Sequence, residues 1–176
     1  MFVVEQFKQR SLESGHSFAG LMELFELNYL QLKTVVPTQD CRGEYLLSEV
    51  GDGLDLYIQI LERHRYTTVL SMTYIFESEE DYQSDPNAQV RIYHDACVAE
   101  VTACHPGAKV ARLCGMGSPD RYSIERHWTR NGFLYKWLEY LIASGHSLAT
   151  TRPIGAADLP AVITEYGERK AYRPAL

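Results

Sequence analysis

Residues 90–101 read Val-Arg-Ile-Tyr-His-Asp-Ala-Cys-Val-Ala-Glu-Val and place five polar side chains in an otherwise apolar segment of strand-forming residues. Alternate residues of a strand lie on opposite faces of a sheet, and here the apolar residues change face near Asp95 and Ala96. This change predicts a bulge or a tight turn at that point. Because unpaired buried charges are costly, the polar side chains either line a solvent-filled cleft or bond to one another.

The segments on either side predict further antiparallel strands. A short strand is expected at 45–50, and alternating apolar and polar residues predict longer strands at 54–60 and 66–76. The acidic segment 77–87 is expected to be a solvated loop, and a weak strand is expected at 109–113. The sheet should therefore contain four or five strands.

Two long helices are predicted, at 17–36 with Ser17 as the N-terminal cap and at 123–144. One asparagine interrupts the apolar stripe of each helix, Asn28 in the first and Asn131 in the second. A buried amide needs hydrogen-bond partners, so the two asparagines predict a shared polar layer. The expected fold is a two-layer α+β domain, with an antiparallel sheet covered on one face by both helices.

The chain of 176 residues suits a single domain, predicted at 17–146. Residues 1–16 are expected to form an N-terminal extension and residues 147–176 a C-terminal tail with a short helix at 158–167. One side of that helix could contact a protein partner. Its apolar residues are Leu159, Val162, Ile163 and Tyr166.

Composition excludes several classes of protein. The net charge of −6 argues against a nucleic-acid partner, because phosphate binding needs a clustered basic excess. The sequence contains neither a signal-peptide-like apolar region nor eighteen consecutive apolar residues, so we expect a cytoplasmic protein with no membrane partner. The four cysteines lack Cys-x-x-Cys spacing, and no metal site or cofactor is expected.

Four segments of the chain resemble the YqiB-like family of small proteobacterial cytosolic proteins, which is classed as a domain of unknown function. The resemblance covers residues 18–146, and Tyr-His-Asp-Ala at 93–96 is its most specific part. It implies no particular activity. The segments are Asn-Tyr-Leu-Gln-Leu at 28–32, Glu-Arg-His-Arg-Tyr-Thr-Thr at 62–68, the stretch at 90–101, and Asn-Gly-Phe-Leu at 131–134 leading to Trp137, Leu138 and Tyr140.

The polar residues of the predicted sheet admit three interpretations. As a binding site, Arg65 and Arg91 would hold a phosphate or carboxylate group. As a catalytic site, His94 would act as a general base oriented by Asp95 or Glu100, although sequential strand residues face opposite ways. As a structural network, these arginines and carboxylates would pair with one another, which we consider the simplest interpretation of the cluster itself. The predicted ligand-binding residues are Arg65, Arg91, Tyr93, His94, Asn28 and Asn131.

For function, we expect a non-catalytic binding or regulatory protein that recognises a nucleotide, a phosphorylated metabolite or a protein partner. One alternative is a small phosphoester hydrolase that uses His94 with Arg65 and Arg91. A second alternative is an adaptor or chaperone-like protein. A carboxylate within hydrogen-bond distance of His94, beside a pocket that exposes either arginine, would favour the hydrolase.

Overall fold

The computed structural model describes residues 17–37, 43–51, 53–77, 82–105 and 124–159. Helix α1 spans Phe18–Val35, helix α2 spans Ile124–Ala143, and a short 3-10 helix spans Ala156–Asp158. The strands are β1 Tyr45–Ser48, β2 Leu56–Arg63, β3 Thr67–Glu77, β4 Tyr82–Tyr93, β5 Val98–His105 and β6 Thr151–Ile154.

The six strands form one antiparallel sheet in the order β5-β4-β3-β2-β1-β6. This arrangement confirms the α+β class, but the expected number of four or five strands was too low. The stretch at 90–101 belongs to two strands, because residues 94–97 form a turn between β4 and β5. Strand β4 also begins at Tyr82, within the segment 77–87 that the sequence predicted as a loop. The weak strand expected at 109–113 lies outside the described residues.

The predicted C-terminal tail supplies the sixth strand, since β6 pairs with β1 at the sheet edge. The sheet thus extends beyond residue 146. The Glu49 N–H donates to the Thr150 carbonyl oxygen at 3.3 Å, so alternation along the ladder places Pro153 at a non-hydrogen-bonded position opposite Leu46. The missing N–H of Pro153 therefore faces away from β1, where it costs no hydrogen bond of the sheet. Only the first two residues of the helix predicted at 158–167 lie in the described part.

Both long helices pack on the same face of the sheet. Ser17 caps α1 as predicted, because the Gly20 N–H donates to the Ser17 hydroxyl at 3.1 Å. A smaller apolar cluster joins the two helices to each other. No helix in the described part of the chain is long and apolar enough to cross a membrane. The main core includes Leu32 and Val35 of α1, Leu134, Leu138 and Leu141 of α2, and Leu46, Leu56, Ile58, Leu70, Met72, Val90, Ile92 and Val101 of the sheet.

Candidate functional site

The turn between β4 and β5 lies at one end of the sheet, beside the turn between β2 and β3. The His94 N–H donates to the Tyr66 carbonyl oxygen at 2.8 Å and so joins the two turns. Cys97 has a φ of 55°, in the left-handed region that residues other than glycine seldom adopt. Its thiol lies 3.6 Å from the His94 carbonyl oxygen. This turn is the change of face that the sequence predicted near Asp95.

His94 lies on the helix-covered side of this turn. Its Nε2 is 2.8 Å from the hydroxyl oxygen of Thr68, which is only 1% exposed. Burial lowers the pKa of His94; the Asp95 carboxylate opposes this effect and the Lys33 ammonium adds to it. The ring is therefore neutral near pH 7. Its second nitrogen, Nδ1, is enclosed by protein and has no hydrogen-bond partner.

Helix α1 contributes two further side chains beside His94. Tyr29 is 4% exposed, and the Lys33 Nζ lies 5.4 Å from the centroid of its ring. Burial raises the pKa of Tyr29, as does its hydrogen bond to the Cys97 thiol. We call Tyr29, Lys33, Thr68, His94 and Cys97 the turn site.

A shallow pocket of 340 Å³ lies at the same end of the sheet. It forms where β2 bulges between Ile60 and Glu62. Arg63 lines this pocket and is the cross-strand neighbour of Thr68, so the pocket adjoins the turn site. Its lining residues are Gly43, Glu44, Ile60, Leu61, Glu62 and Arg63.

The structure separates the predicted site residues between the two faces of the sheet. Arg91 and Tyr93 alternate with the core residue Ile92 and therefore lie on the face opposite the helices. There the Tyr93 hydroxyl donates to Glu100 Oε1 at 2.9 Å, and Glu100 is the cross-strand neighbour of Arg91. His94 does not share this face.

Arg65 lies in the turn between β2 and β3, where its guanidinium carbon is 5.0 Å from the Tyr66 ring centroid. Asp95 is exposed at the tip of the other turn. Arg152 forms an ion pair with Glu49, and the His64 Nε2 lies 3.6 Å from the Glu62 Oε2. Within that part of the chain the predicted mutual pairing of the arginines with Asp95 and Glu100 is not seen, and the hydrogen-bond partner of His94 is a hydroxyl group.

Asn28 and Asn131 meet in the core, as the interrupted stripes predicted, and both are fully buried. The Asn28 Nδ2 lies 3.3 Å from the Asn131 carbonyl oxygen and 3.4 Å from its Oδ1. Asn131 Oδ1 also accepts from the Val101 N–H at 2.9 Å, and its Nδ2 donates to the His127 carbonyl oxygen at 2.8 Å. The pair thus connects both helices to β5, and no surface opens onto it.

The sequence analysis missed a second histidine site. His146 is 2% exposed, and its Nδ1 lies 2.9 Å from the Ser48 hydroxyl, which is 2.8 Å from the Thr150 hydroxyl. Burial lowers the pKa of His146, while the Leu54 carbonyl and the Asp55 carboxylate oppose this effect. Ser48 is fully buried, so this Ser-His arrangement offers no nucleophile to a substrate and instead connects the end of α2 to β1 and β6. The sequence indicated only where the preceding helix ends, because Gly145 is a helix-terminating residue and has a φ of 98°.

Among the described residues, no group of three or more His, Cys, Asp or Glu side chains could hold a metal ion.

Comparison with known proteins agrees with the resemblance noted in the sequence. The family model described as "Protein of unknown function (DUF1249)" matches residues 31–147. The chain is 30% identical over 128 residues to "Uncharacterized protein YqiB" of Escherichia coli strain K12, a match that covers 73% of this chain and 90% of the relative. The YqiB proteins of the O6:H1 and O157:H7 strains give the same values. No solved structure matches the chain significantly. The predicted relationship is thus confirmed, and the chain belongs to the DUF1249 family of proteins of unknown function.

Proposed function

We propose that this chain is a non-catalytic cytoplasmic binding protein that takes a phosphate-bearing small molecule, such as a nucleotide or a phosphorylated metabolite, at the turn site. The observation that carries this proposal is the enclosed Nδ1 of His94, which has no partner and lies close to the charge of Lys33. A buried polar atom without a partner is unfavourable, and a ligand oxygen would remove that cost.

The tautomer of His94 decides how it would bind an anion. If the Thr68 hydroxyl donates to Nε2, the proton of the neutral ring resides on Nδ1, which then becomes a donor. A phosphate oxygen accepts from that donor, and Lys33 supplies a compensating positive charge. Arg65 lies in the adjoining turn and can reach the outer oxygens of the ligand. Because Nδ1 is enclosed, the ligand reaches it only when the groups around the atom move aside.

The pocket beside the turn site gives the rest of the ligand a place to bind. Its volume of 340 Å³ falls at the lower end of the usual range for small-molecule sites. Glu44 and Glu62 line it, so the group that enters it should carry hydrogen-bond donors or a positive charge instead of a second phosphate.

The hydrolase alternative has less support. His94 is hydrogen-bonded to a hydroxyl, and Glu100 and Arg91 lie on the other face of the sheet. A general base that takes a proton from the attacking water would need a carboxylate to orient it and an open path to that water. The adaptor alternative uses either an exposed apolar face of the sheet or the tail from Leu159 to Tyr166, of which only Leu159 lies in the described residues.

A thermal-shift screen against nucleotides and phosphorylated metabolites tests the proposal, at constant ionic strength and with sodium chloride as the blank. A ligand at about a hundred times its Kd stabilises the protein by about 2.7 kcal/mol, which corresponds to a shift of roughly 5 °C or more. Lys33→Gln and His94→Gln should abolish the shift. Arg91→Gln is the matched control, because it removes one charge on the opposite face.

Two results would count against the proposal. One is the absence of any shift across the panel, which would favour a protein partner. The other is a shift that Arg91→Gln abolishes while Lys33→Gln and His94→Gln retain it, which would move the site to the open face of the sheet.

A further inference from the structure

His146 lies in the segment between α2 and β6 and belongs to a buried network of hydroxyl groups. Its Nδ1 is 2.9 Å from the Ser48 hydroxyl oxygen on β1, and that oxygen is 2.8 Å from the Thr150 hydroxyl oxygen. Thr150 closes the turn before β6, since its hydroxyl oxygen accepts from the Ser147 N–H at 2.9 Å. We call Ser48, His146 and Thr150 the His146 network. It joins the residue that precedes β6 to β1 and to the end of α2.

Strand β6 has few other buried contacts. It is four residues long, lies at the edge of the sheet and pairs with β1. None of its four residues is buried. The ion pair of Arg152 with Glu49 is exposed, and such pairs stabilise weakly. Short edge segments with little buried surface open locally at low free energy, so β6 depends on the His146 network for much of its attachment.

A proton on His146 changes what this network holds. The neutral ring has one acceptor nitrogen, and the Leu54 carbonyl, which can only accept, favours Nδ1 as the acceptor for the Ser48 hydroxyl. The imidazolium donates from both nitrogens, so the Ser48 hydroxyl must turn its proton towards Thr150. The hydrogen bonds are then kept, but the charge stays on a ring that is only 2% exposed. Movement of the ring into water removes that cost.

The described groups around the ring compensate this charge incompletely. The Asp55 carboxylate, in the loop before β2, stabilises the charged ring. Burial and the Glu49 charge raise the pKa of Asp55 itself, while His146 and Arg152 oppose this effect, so its compensation weakens as the pH falls. The Tyr74 ring centroid is 6.4 Å from that of His146, and burial raises the pKa of Tyr74 to about 12, so this side chain is neutral.

We propose that the His146 network is a pH-sensitive switch that releases β6 from β1 when His146 binds a proton. The protonated ring moves into water and takes the turn at 147–150 and β6 with it, while the other five strands stay paired. Strand β1 then becomes the edge of the sheet. Ser48 is opposite Leu56 at the start of β2, whereas the turn site lies at the other end of that strand, so the switch does not depend on phosphate binding.

The direction of the pKa shift sets the pH range. Burial lowers the pKa of His146 in the paired state, whereas the released ring titrates near its ordinary value of about 6.5. The pairing of β6 therefore keeps its full stability above about pH 6.5 and loses stability as the pH falls below that value. At about pH 5, which is roughly 1.5 units lower, the released fraction can rise by up to about thirty-fold.

Hydrogen exchange of the full chain, followed by NMR at about pH 7 and about pH 5, tests the switch. The reporter is the Arg152 amide, which is opposite Leu47 at a hydrogen-bonded position of the β1–β6 ladder, and the amides of the β3–β4 ladder are the reference. After correction for intrinsic exchange rates, the protection factor of Arg152 should fall by about ten-fold to thirty-fold at the lower pH. The reference amides should change by less than about two-fold.

Three variants separate the switch from other titrating groups. His146→Asn places a neutral amide near the position of Nδ1 and should abolish the pH dependence. Glu49→Gln is the matched control, because it removes another titratable contact of β6 and should keep the fall within about two-fold of the wild-type value. Asp55→Asn keeps the ring but removes its compensating charge, so the fall should be larger than in the wild type.

An Arg152 amide that stays protected at the lower pH would overturn the proposal, and so would an equal loss of protection in the β3–β4 ladder. Loss of the pH dependence in Glu49→Gln, or its persistence in His146→Asn, would also overturn it. If His146→Asn exchanges fast at both pH values, Asp55→Asn decides: a larger fall supports the switch, and an unchanged or smaller fall refutes it.

Discussion

The buried asparagine pair predicts that two isosteric substitutions have very different costs. In Asn131→Leu, the Val101 N–H loses its acceptor while it remains buried, and the Asn28 amide keeps only the Asn131 carbonyl oxygen. An unsatisfied buried donor costs about 1–3 kcal/mol, so this variant should lose about 1–3 kcal/mol of unfolding free energy. Leucine has the branched shape of asparagine and a larger volume, so no cavity adds to this cost.

Asn28→Leu should cost far less. Both donor contacts of the Asn28 amide exceed 3.2 Å, the upper end of the ordinary range, so they are weak. Its Oδ1 is buried without a partner, and leucine removes that unsatisfied atom. Asn131 Oδ1 still accepts from Val101 after the change. The unfolding free energy should therefore change by no more than about 1 kcal/mol in either direction.

Urea denaturation of the two variants, of their double mutant and of the wild type measures these differences at one temperature. The double mutant should be no less stable than Asn131→Leu alone, because it also removes the Asn28 Oδ1, which is buried without a partner. Equal costs for the two single substitutions, or a cost below about 1 kcal/mol for Asn131→Leu, would refute the assignment of Asn131 as the central acceptor.

Three further predictions concern stability. Burial lowers the pKa of His146, so the unfolded chain binds a proton at this histidine more readily than the folded chain does. The free energy of unfolding should therefore fall as the pH drops below about 6.5. The urea midpoint of His146→Gln should change less between about pH 7 and pH 5 than that of the wild type. Cys97 has a left-handed φ, so thermal melting should show Cys97→Gly to be more stable than Cys97→Ala by about 1 kcal/mol. Arg152 and Glu49 form an exposed ion pair at 2.8 Å, so Arg152→Ala should cost less than about 1 kcal/mol in urea denaturation.

Each of these has an outcome that contradicts it. An unchanged pH dependence in His146→Gln would mean that other groups control the acid side of the stability curve. Equal stability of the glycine and alanine variants would show that the backbone at residue 97 relaxes without strain. A loss of more than about 2 kcal/mol in Arg152→Ala would indicate that the ion pair is shielded from solvent.

Much of the helical layer could be predicted from the sequence, because helix ends depend on local residues. Ser17 at the start of α1 and Gly145 beyond α2 act through neighbouring backbone groups, and the apolar stripes identify the buried sides. The contact between Asn28 and Asn131 was predictable for the same reason, since each interrupts such a stripe.

The start of β4 and the whole of β6 were not predicted, because both depend on tertiary contacts. Residues 82–84 pair with β3 alone, because the ladder with β5 begins only at Asn87. Strand β6 contains Pro153, which argues against a strand unless the strand lies at a sheet edge with that position facing outward. The sequence does not reveal which strand lies at the edge.

The candidate site depends still more on long-range pairing. The hydrogen bond between Thr68 and His94 requires the register of β3 with β4, in which Thr68 is opposite Ile92. The contact of His146 with Ser48 spans 98 positions of the chain. Neither partner carries a local pattern that identifies the other.

The two outer strands also bear on how molecules of this protein meet at high concentration. On β5, the Val101 N–H that faces away from β4 donates to the Asn131 side chain. On β6, Pro153 has no backbone N–H to donate at the outer side of the strand. A strand from a second molecule would therefore lack a regular row of donors along either border. Edge-to-edge polymerisation of the sheet is disfavoured by two side chains that lie at opposite ends of the fold.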